Sequence, residues 1–306
     1  MALHMRPSYS SIPPWAKGVL GIAGGILAGA WIASAQMTRR RAPDPAVPPS
    51  AYGLDSEPVY FPSRDGLLLG GYWIPAARAR ANIVILPGQG GSLDPDLRYA
   101  PALVNRRYNV LLFDLRGHGR SQGSQVTWGC REHLDALGAI DFIRQRNDLP
   151  IGAMGFSMGA AVAIRAAAES PEIAALICDG CYADIRGAIR GWATQRGLNN
   201  RAVDLFIQLV LKITAWRLGC SLDEAAPVRW VGQVAPRPIF FIHAEQDPYV
   251  PLGEFQRLWD AAGEPKERWI VPGISHREAD KIYPAAYRQR MLDFFDRHLG
   301  SARRRR

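Results

Sequence analysis

From residue 57 onward the chain alternates short β-branched or apolar runs with amphipathic stretches of helical period, and this alternation limits its fold more than any other feature. Strands separated by helices close into a parallel sheet with helices on its faces. Sheet-like runs fall at residues 57–63, 67–75, 82–86, 109–115, 151–156, 173–178, 238–243 and 268–271. Helical patterns lie at about 94–106, 130–146, 158–170, 252–263 and 285–299, and in the last Met291, Phe294, Phe295 and Leu299 share one face. The expected fold is therefore α/β, an eight-stranded, mostly parallel sheet flanked by helices over residues 57–300. One interval breaks the rhythm. Residues 182–235 lack a strand signal and carry AVDLFIQLVLKITAWRLG, which reads as a helical insertion packed over one end of the sheet.

Chemistry enters at the junction of the run IGAMGF and the helix after it, where the chain reads Gly155-Phe156-Ser157-Met158-Gly159. A sharp strand-to-helix turn pushes the serine hydroxyl out above the carboxyl ends of the strands, and glycines two residues either side relieve the crowding. The helix amino terminus behind it favours developing negative charge. A serine hydroxyl needs a base, and in this architecture the acid and then the histidine follow the serine along the chain. Of the histidines downstream, His243 lies inside an apolar run as a satisfied packing residue, and His298 lies near the end of a surface helix with a solvated role. His276 sits in the loop that leaves the last strand, at the catalytic end of the sheet, and is the expected base. Asp247 follows the preceding strand and is the expected acid, whereas Glu245 and Asp179 read as loop or supporting carboxylates.

On these residues the chain resembles the α/β-hydrolase superfamily over 57–300, in its serine-aminopeptidase-like and dienelactone-hydrolase-like branches. Besides G-F-S-M-G, the matching strings are F-D-L-R-G-H-G-R-S at 113–121, H-A-E-Q-D-P-Y-V-P at 243–251 and V-P-G-I-S-H ending at His276. The resemblance implies a structural role for His118 and an oxyanion hole formed by the backbone N–H groups of Gln89 and Met158. It also exposes a departure, because Pro87 stands where such hydrolases commonly carry histidine before Gly88. The insertion at 182–235 corresponds to a lid over the serine, with Leu205, Phe206, Leu209, Val210, Ile213 and Trp216 as acyl-pocket, lipid-facing or lid-packing residues. The implied activity is two-step acyl transfer on small-molecule carboxylic or thio esters, lipophilic ones among them, with no metal or cofactor. A serine peptidase is the alternative, and a non-catalytic scaffold is disfavoured by the ordered serine, acid and histidine.

Ahead of the alternating region, residues 18–38 form 21 uncharged residues between Lys17 and Arg39-Arg40-Arg41. At about 1.5 Å per residue such a helix crosses a hydrocarbon core of roughly 30 Å. After a tail at 1–14, residues 15–38 are expected to be a retained transmembrane anchor; cleavage after Ala33-Ser34-Ala35, giving a secreted protein, is the alternative. The three arginines weakly place the body on the cytoplasmic side. They open a basic, proline-rich linker at 39–56, stiff over 42–50. Gly21, Gly25 and Gly29 line one helix face, which makes homodimerisation through the anchor a candidate association.

The net charge of +9 is terminal: residues 1–50 and the tail 301–306 contribute +4 each, and 51–300 only +1. A nearly neutral body excludes a nucleic-acid footprint spread over a folded face, and the terminal clusters point to an anionic membrane surface. Four cysteines, Cys130, Cys178, Cys181 and Cys220, are too few to staple 306 residues. Cys178 and Cys181 have C-x-x-C spacing without two further metal ligands, so they are expected to be buried rather than metal-binding or redox-active.

Overall fold

The computed structural model describes residues 13–300, so the terminal stretches 1–12 and 301–306, including the basic tail, lie outside the described residues. The eight strands are β1 (Glu57–Pro62), β2 (Leu68–Ile74), β3 (Ala81–Leu86), β4 (Tyr108–Phe113), β5 (Ile151–Phe156), β6 (Ile173–Asp179), β7 (Ile239–Ala244) and β8 (Lys266–Val271). They form one sheet in the order β1-β2-β4-β3-β5-β6-β7-β8, antiparallel from β1 to β4 and parallel from β4 to β8. Burial explains the sequence signal. Strands β3, β4, β5 and β7 are buried at every residue and read as continuous apolar runs, because helices cover both faces. Edge strand β1 alternates exposed and buried positions.

The helices are α1 (Pro14–Thr38), α2 (Ala100–Asn105), α3 (Glu132–Arg144), α4 (Met158–Glu169), α5 (Ile185–Thr194), α6 (Arg201–Leu218), α7 (Leu252–Ala261), α8 (Ala279–Ile282) and α9 (Pro284–Leu299). Met291, Phe294, Phe295 and Leu299 of α9 are all buried in the core on one face of the sheet. The other face is covered by α3, α4 and α7, with α5 and α6 filling the long interval between β6 and β7. Asn200 caps α6 by accepting from the Val203 N–H at 3.1 Å, and Gly219 ends it in a left-handed conformation.

Helix α1 is apolar over Trp15–Thr38 and mostly exposed along that length. Its last turns are docked. Trp31 lies 6.0 Å from Trp216 of α6, Ser34 Oγ accepts from Thr214 Oγ1 and from Arg217 Nη1 at 2.9 Å, and Gly29 packs on Phe206.

Two expectations need correction. The cysteines include a disulfide, Cys130–Cys220, which ties the segment before α3 to the end of α6 across 90 residues. Cys178 and Cys181 are free and buried, as expected. The segment expected to be a spacer is bound to the body instead. Val126 N–H donates to the Thr38 carbonyl at 2.9 Å, and Arg40 donates to the carbonyls of Gly119 and Gly123 at 2.7 and 2.6 Å. The Asp44 carboxylate accepts from Ser92 N–H at 2.7 Å, and Val47 N–H donates to Asp94 at 2.9 Å. Residues 39–47 therefore form a strap across the carboxyl end of the sheet, and Arg40 is committed to protein contacts rather than left free for lipid headgroups, while Arg41 faces the interior of the protein.

Candidate active site

Ser157 stands between β5 and α4 with φ 50° and ψ −114°, a conformation that costs a non-glycine residue on the order of 1–3 kcal/mol. The surroundings hold it there. Ser157 N–H donates to the Asp179 carbonyl at 2.8 Å, and its own carbonyl accepts from Ala160 and Ala161 at 3.0 and 3.2 Å. The flanking glycines are required by close approach. A Cβ on Gly159 would lie 2.1 Å from the Leu86 carbonyl oxygen, and one on Gly155 would lie 2.5 Å from that of Gly159.

Asp247 and His276 leave the ends of β7 and β8, and His276 Nδ1 lies 2.5 Å from Asp247 Oδ2. The other oxygen, Oδ1, accepts from the N–H groups of Tyr249 and Val250 at 2.8 Å each. A carboxylate fixed by two backbone donors and aimed at the ring sets the imidazole's orientation and tautomer, leaving Nε2 for other chemistry. Tyr249 packs edge-on against the ring at 5.4 Å. Ser157 and His276 line one cavity of about 1200 Å³, together with Gly88, Gln89 and Gly90 of the loop after β3. Among the described residues, neither Gln89 nor Met158 N–H donates to a protein acceptor.

The loop carrying Gln89 is held from outside the sheet. His118 Nε2 lies 3.0 Å from the Gln89 carbonyl oxygen, in keeping with the structural role expected of it. With its amide turned to suit its neighbours, the Gln89 side chain accepts from Arg41 Nε at 2.7 Å. Arg41 and Arg277 both line the cavity, and neither was picked out by sequence reasoning. Arg277 Nη2 lies 2.5 Å from Asp96 Oδ1, and its guanidinium stacks 4.0 Å over Phe156. Position 277, one residue past the histidine in a polar loop, gave no hint that its guanidinium would turn into the cavity. Gly180 was also missed: at φ 69° it leaves room for His276, whose Cε1 would lie 2.8 Å from a Cβ there.

The discarded candidates keep other roles. His243 is fully buried and stacked 4.6 Å from Phe255, but neither ring nitrogen has a partner among the described residues, where a satisfied packing residue was expected. Burial lowers its pKa to about 4. His298 is partly buried against Phe294 and near Glu267 rather than freely solvated. Glu245 accepts from Gly273 N–H at 3.1 Å. Asp179 is buried and accepts from Tyr287 Oη at 2.7 Å; burial pushes its pKa up to about 6, against the pull of Arg277. Of the residues expected to form a lid, Phe206 and Val210 line the cavity, whereas Leu205 and Trp216 are exposed. No group of three or more His, Cys, Asp or Glu side chains suited to a metal occurs among the described residues.

The eight-stranded sheet with its serine at the β5–α4 turn defines the class of fold: the chain has the α/β-hydrolase fold. A family model described as "Serine aminopeptidase, S33" matches residues 77–217. In sequence the chain is similar to the uncharacterised protein YfhR of Salmonella typhi, 26% identical over 260 residues that cover 81% of this chain and 84% of that one. It is also similar to the uncharacterised protein Rv2307c of Mycobacterium tuberculosis, 28% identical over 232 residues and 73% of each chain. In structure it resembles the Pyrococcus furiosus esterase Pf2001 with a TM-score of 0.71 at 23% identity, covering 86% of this chain and 99% of that one. These likenesses support the α/β-hydrolase fold.

Proposed function

We propose that the protein is a membrane-anchored serine hydrolase that cleaves carboxylic or thio esters of lipophilic acyl groups. The observation that carries this is the coupled pair His276–Asp247 facing the same large, apolar-lined cavity as the strained Ser157. Ser157 Oγ attacks the ester carbonyl carbon while His276 Nε2 takes its proton. The N–H groups of Gln89 and Met158 receive the oxyanion. Collapse breaks the bond to the leaving group, which takes the proton from His276, and the acyl group stays on Ser157. Water, deprotonated by His276, then releases the carboxylic acid and restores the serine.

The name esterase carried by the structural neighbour agrees with this reading, whereas the family description favours a peptidase. The cavity's own charges argue against an aminopeptidase. Its charged lining side chains other than His276 are Arg41 and Arg277, and neither can pair with a substrate's ammonium group. Turnover of p-nitrophenyl esters by the full chain in nanodiscs, lost in Ser157→Ala and sustained as the acyl chain lengthens, is the expected result. Cleavage of aminoacyl amides in preference to esters overturns the ester assignment.

Helix α1 is proposed as a retained anchor. Cleavage after Ala35 would strip Ala30 and Ser34 from the body and uncover Thr214 and Arg217. The Cys130–Cys220 disulfide belongs in an oxidising compartment and favours a body outside the cytoplasm over the arginine-based expectation. In a Cys178→Ala/Cys181→Ala variant, a polyethylene-glycol maleimide gel shift seen only after reduction is the expected result; a shift in unreduced membranes contradicts that sidedness.

A further inference from the structure

We infer that the cavity takes an acyl ester bearing an anionic group close to the ester, delivered from the bilayer, with Arg41 holding the anion and the chain lying between α1 and α6. This rests on the serine-hydrolase function proposed above and names the substrate class of that site. Ala33, Gln36 and Met37, in the last turns of α1, form part of the cavity wall, so the anchor is a piece of the binding site. Trp192, Phe206 and Val210 of the insertion line the same cavity. From Trp15 to Gln36 the helix rises about 30 Å, the depth of a hydrocarbon core. Its outward side chains, among them Val19, Ile22, Leu27 and Ile32, are exposed and apolar. The neighbouring α6 turns Leu205 and Trp216 outward, 57% and 74% exposed, beside that same helix. A chain leaving the lipid along α1 therefore meets an apolar surface that continues into the chamber.

The charge pattern selects the headgroup. Among the described residues Arg41 has no carboxylate within ion-pair distance, whereas its cavity neighbour Arg277 has Asp96. The Arg41 guanidinium bonds instead to the Met37 carbonyl at 2.9 Å and to the Gln89 side chain at 2.7 Å, leaving the Nη1 hydrogens without an acceptor among the described residues. Burial and the nearby Arg39 disfavour its charged form, so an arriving anion relieves a cost already present. Because Arg41 touches the side chain of Gln89, the anion would sit beside the oxyanion loop, within a few bonds of the scissile ester. Phosphate and carboxylate share this chemistry.

The test uses the full chain in nanodiscs and two matched pairs: palmitoyl glycerophosphate against palmitoylglycerol, and palmitoyl lactate against ethyl palmitate. The charged member of at least one pair is expected to show kcat/KM about tenfold or more above its neutral partner, carried by KM, and the pairs separate phosphate from carboxylate. That ratio should collapse towards one in Arg41→Gln and be partly kept in Arg41→Lys, whatever loss the two variants share. A wild-type ratio near or below one in both pairs, or an unchanged ratio in Arg41→Gln, overturns the inference. Fluorophosphonate labelling of the same samples separates the causes. Labelling of Ser157 without charge discrimination defeats this inference alone; failure to label wild type defeats the serine-hydrolase function with it.

Discussion

The turn at Ser157 and the strap at 39–47 reach the same cavity by different means. Around Ser157 the geometry is local. A strand ends, a helix begins, two glycines let the backbones approach, and the conformation follows from neighbours in sequence and in the sheet. The strap has almost no regular structure and takes its position from bonds that reach about 45 to 85 residues along the chain: Arg40 to Gly119 and Gly123, Arg41 to Gln89, Asp44 to Ser92. One region carries the proposed nucleophile, and the other ties α1 to the loop that carries Gln89. Under the proposed function, membrane attachment and catalytic geometry share residues, so a body cut at residue 51 is expected to lose more than its tether.

Four perturbations sharpen or break this contrast, from the largest effect to the smallest. Asp247→Asn keeps an oxygen for Tyr249 and Val250 but loses the carboxylate that orients His276. Ester turnover is expected to fall by about 10⁴-fold with little change in thermal stability; a fall below tenfold would mean that another group orients the ring. Replacing Cys130 and Cys220 together by serine frees the end of α6 from the body and should cost about 2–4 kcal/mol of stability in chemical denaturation. An unchanged midpoint would show that α1 and the core hold α6 without the bridge.

His243 tests the sheet region alone, through pH. Its pKa is about 4 when folded, against about 6.5 for a histidine in the unfolded chain. Between those values the unfolded state binds the extra proton, so stability is lost as pH falls from about 6.5 to 4, by about 3 kcal/mol in full. His243→Phe, stacked on Phe255, should flatten that acid-side loss in denaturation curves measured between pH 7 and 4. An equal slope in both proteins would place the titration elsewhere. The strap gives the smallest effect. Asp44→Ala leaves the Ser92 N–H without its acceptor and loosens the oxyanion loop, and kcat should drop about tenfold with KM little changed. No change in kcat would reduce the strap to a tether.

The same contrast explains what was legible in the sequence. All eight strands fall within a residue or two of their expected ends, and the interior parallel strands are the most legible because they must be apolar along their whole length. The serine, aspartate and histidine stood out because each follows a strand at the carboxyl edge and in a fixed chain order. The strap was hidden because APDPAVPPS has the composition of a linker, and nothing local reveals that Asp44 would find a backbone N–H 48 residues away. The disulfide was hidden for a related reason: cysteine count and spacing do not encode which helix end lies beside which loop. His243 was placed correctly in the core, but an apolar strand cannot show that its ring nitrogens would lack partners.

The most direct measurement is the site of a covalent adduct. The full chain in nanodiscs is treated with a fluorophosphonate, digested, and mapped by mass spectrometry. A single adduct on the Ser157 peptide, absent in Ser157→Ala and formed far more slowly in Asp247→Asn, is the predicted result. Equal labelling of wild type and Ser157→Ala, or an adduct on another serine, would contradict the assignment of Ser157 as the nucleophile.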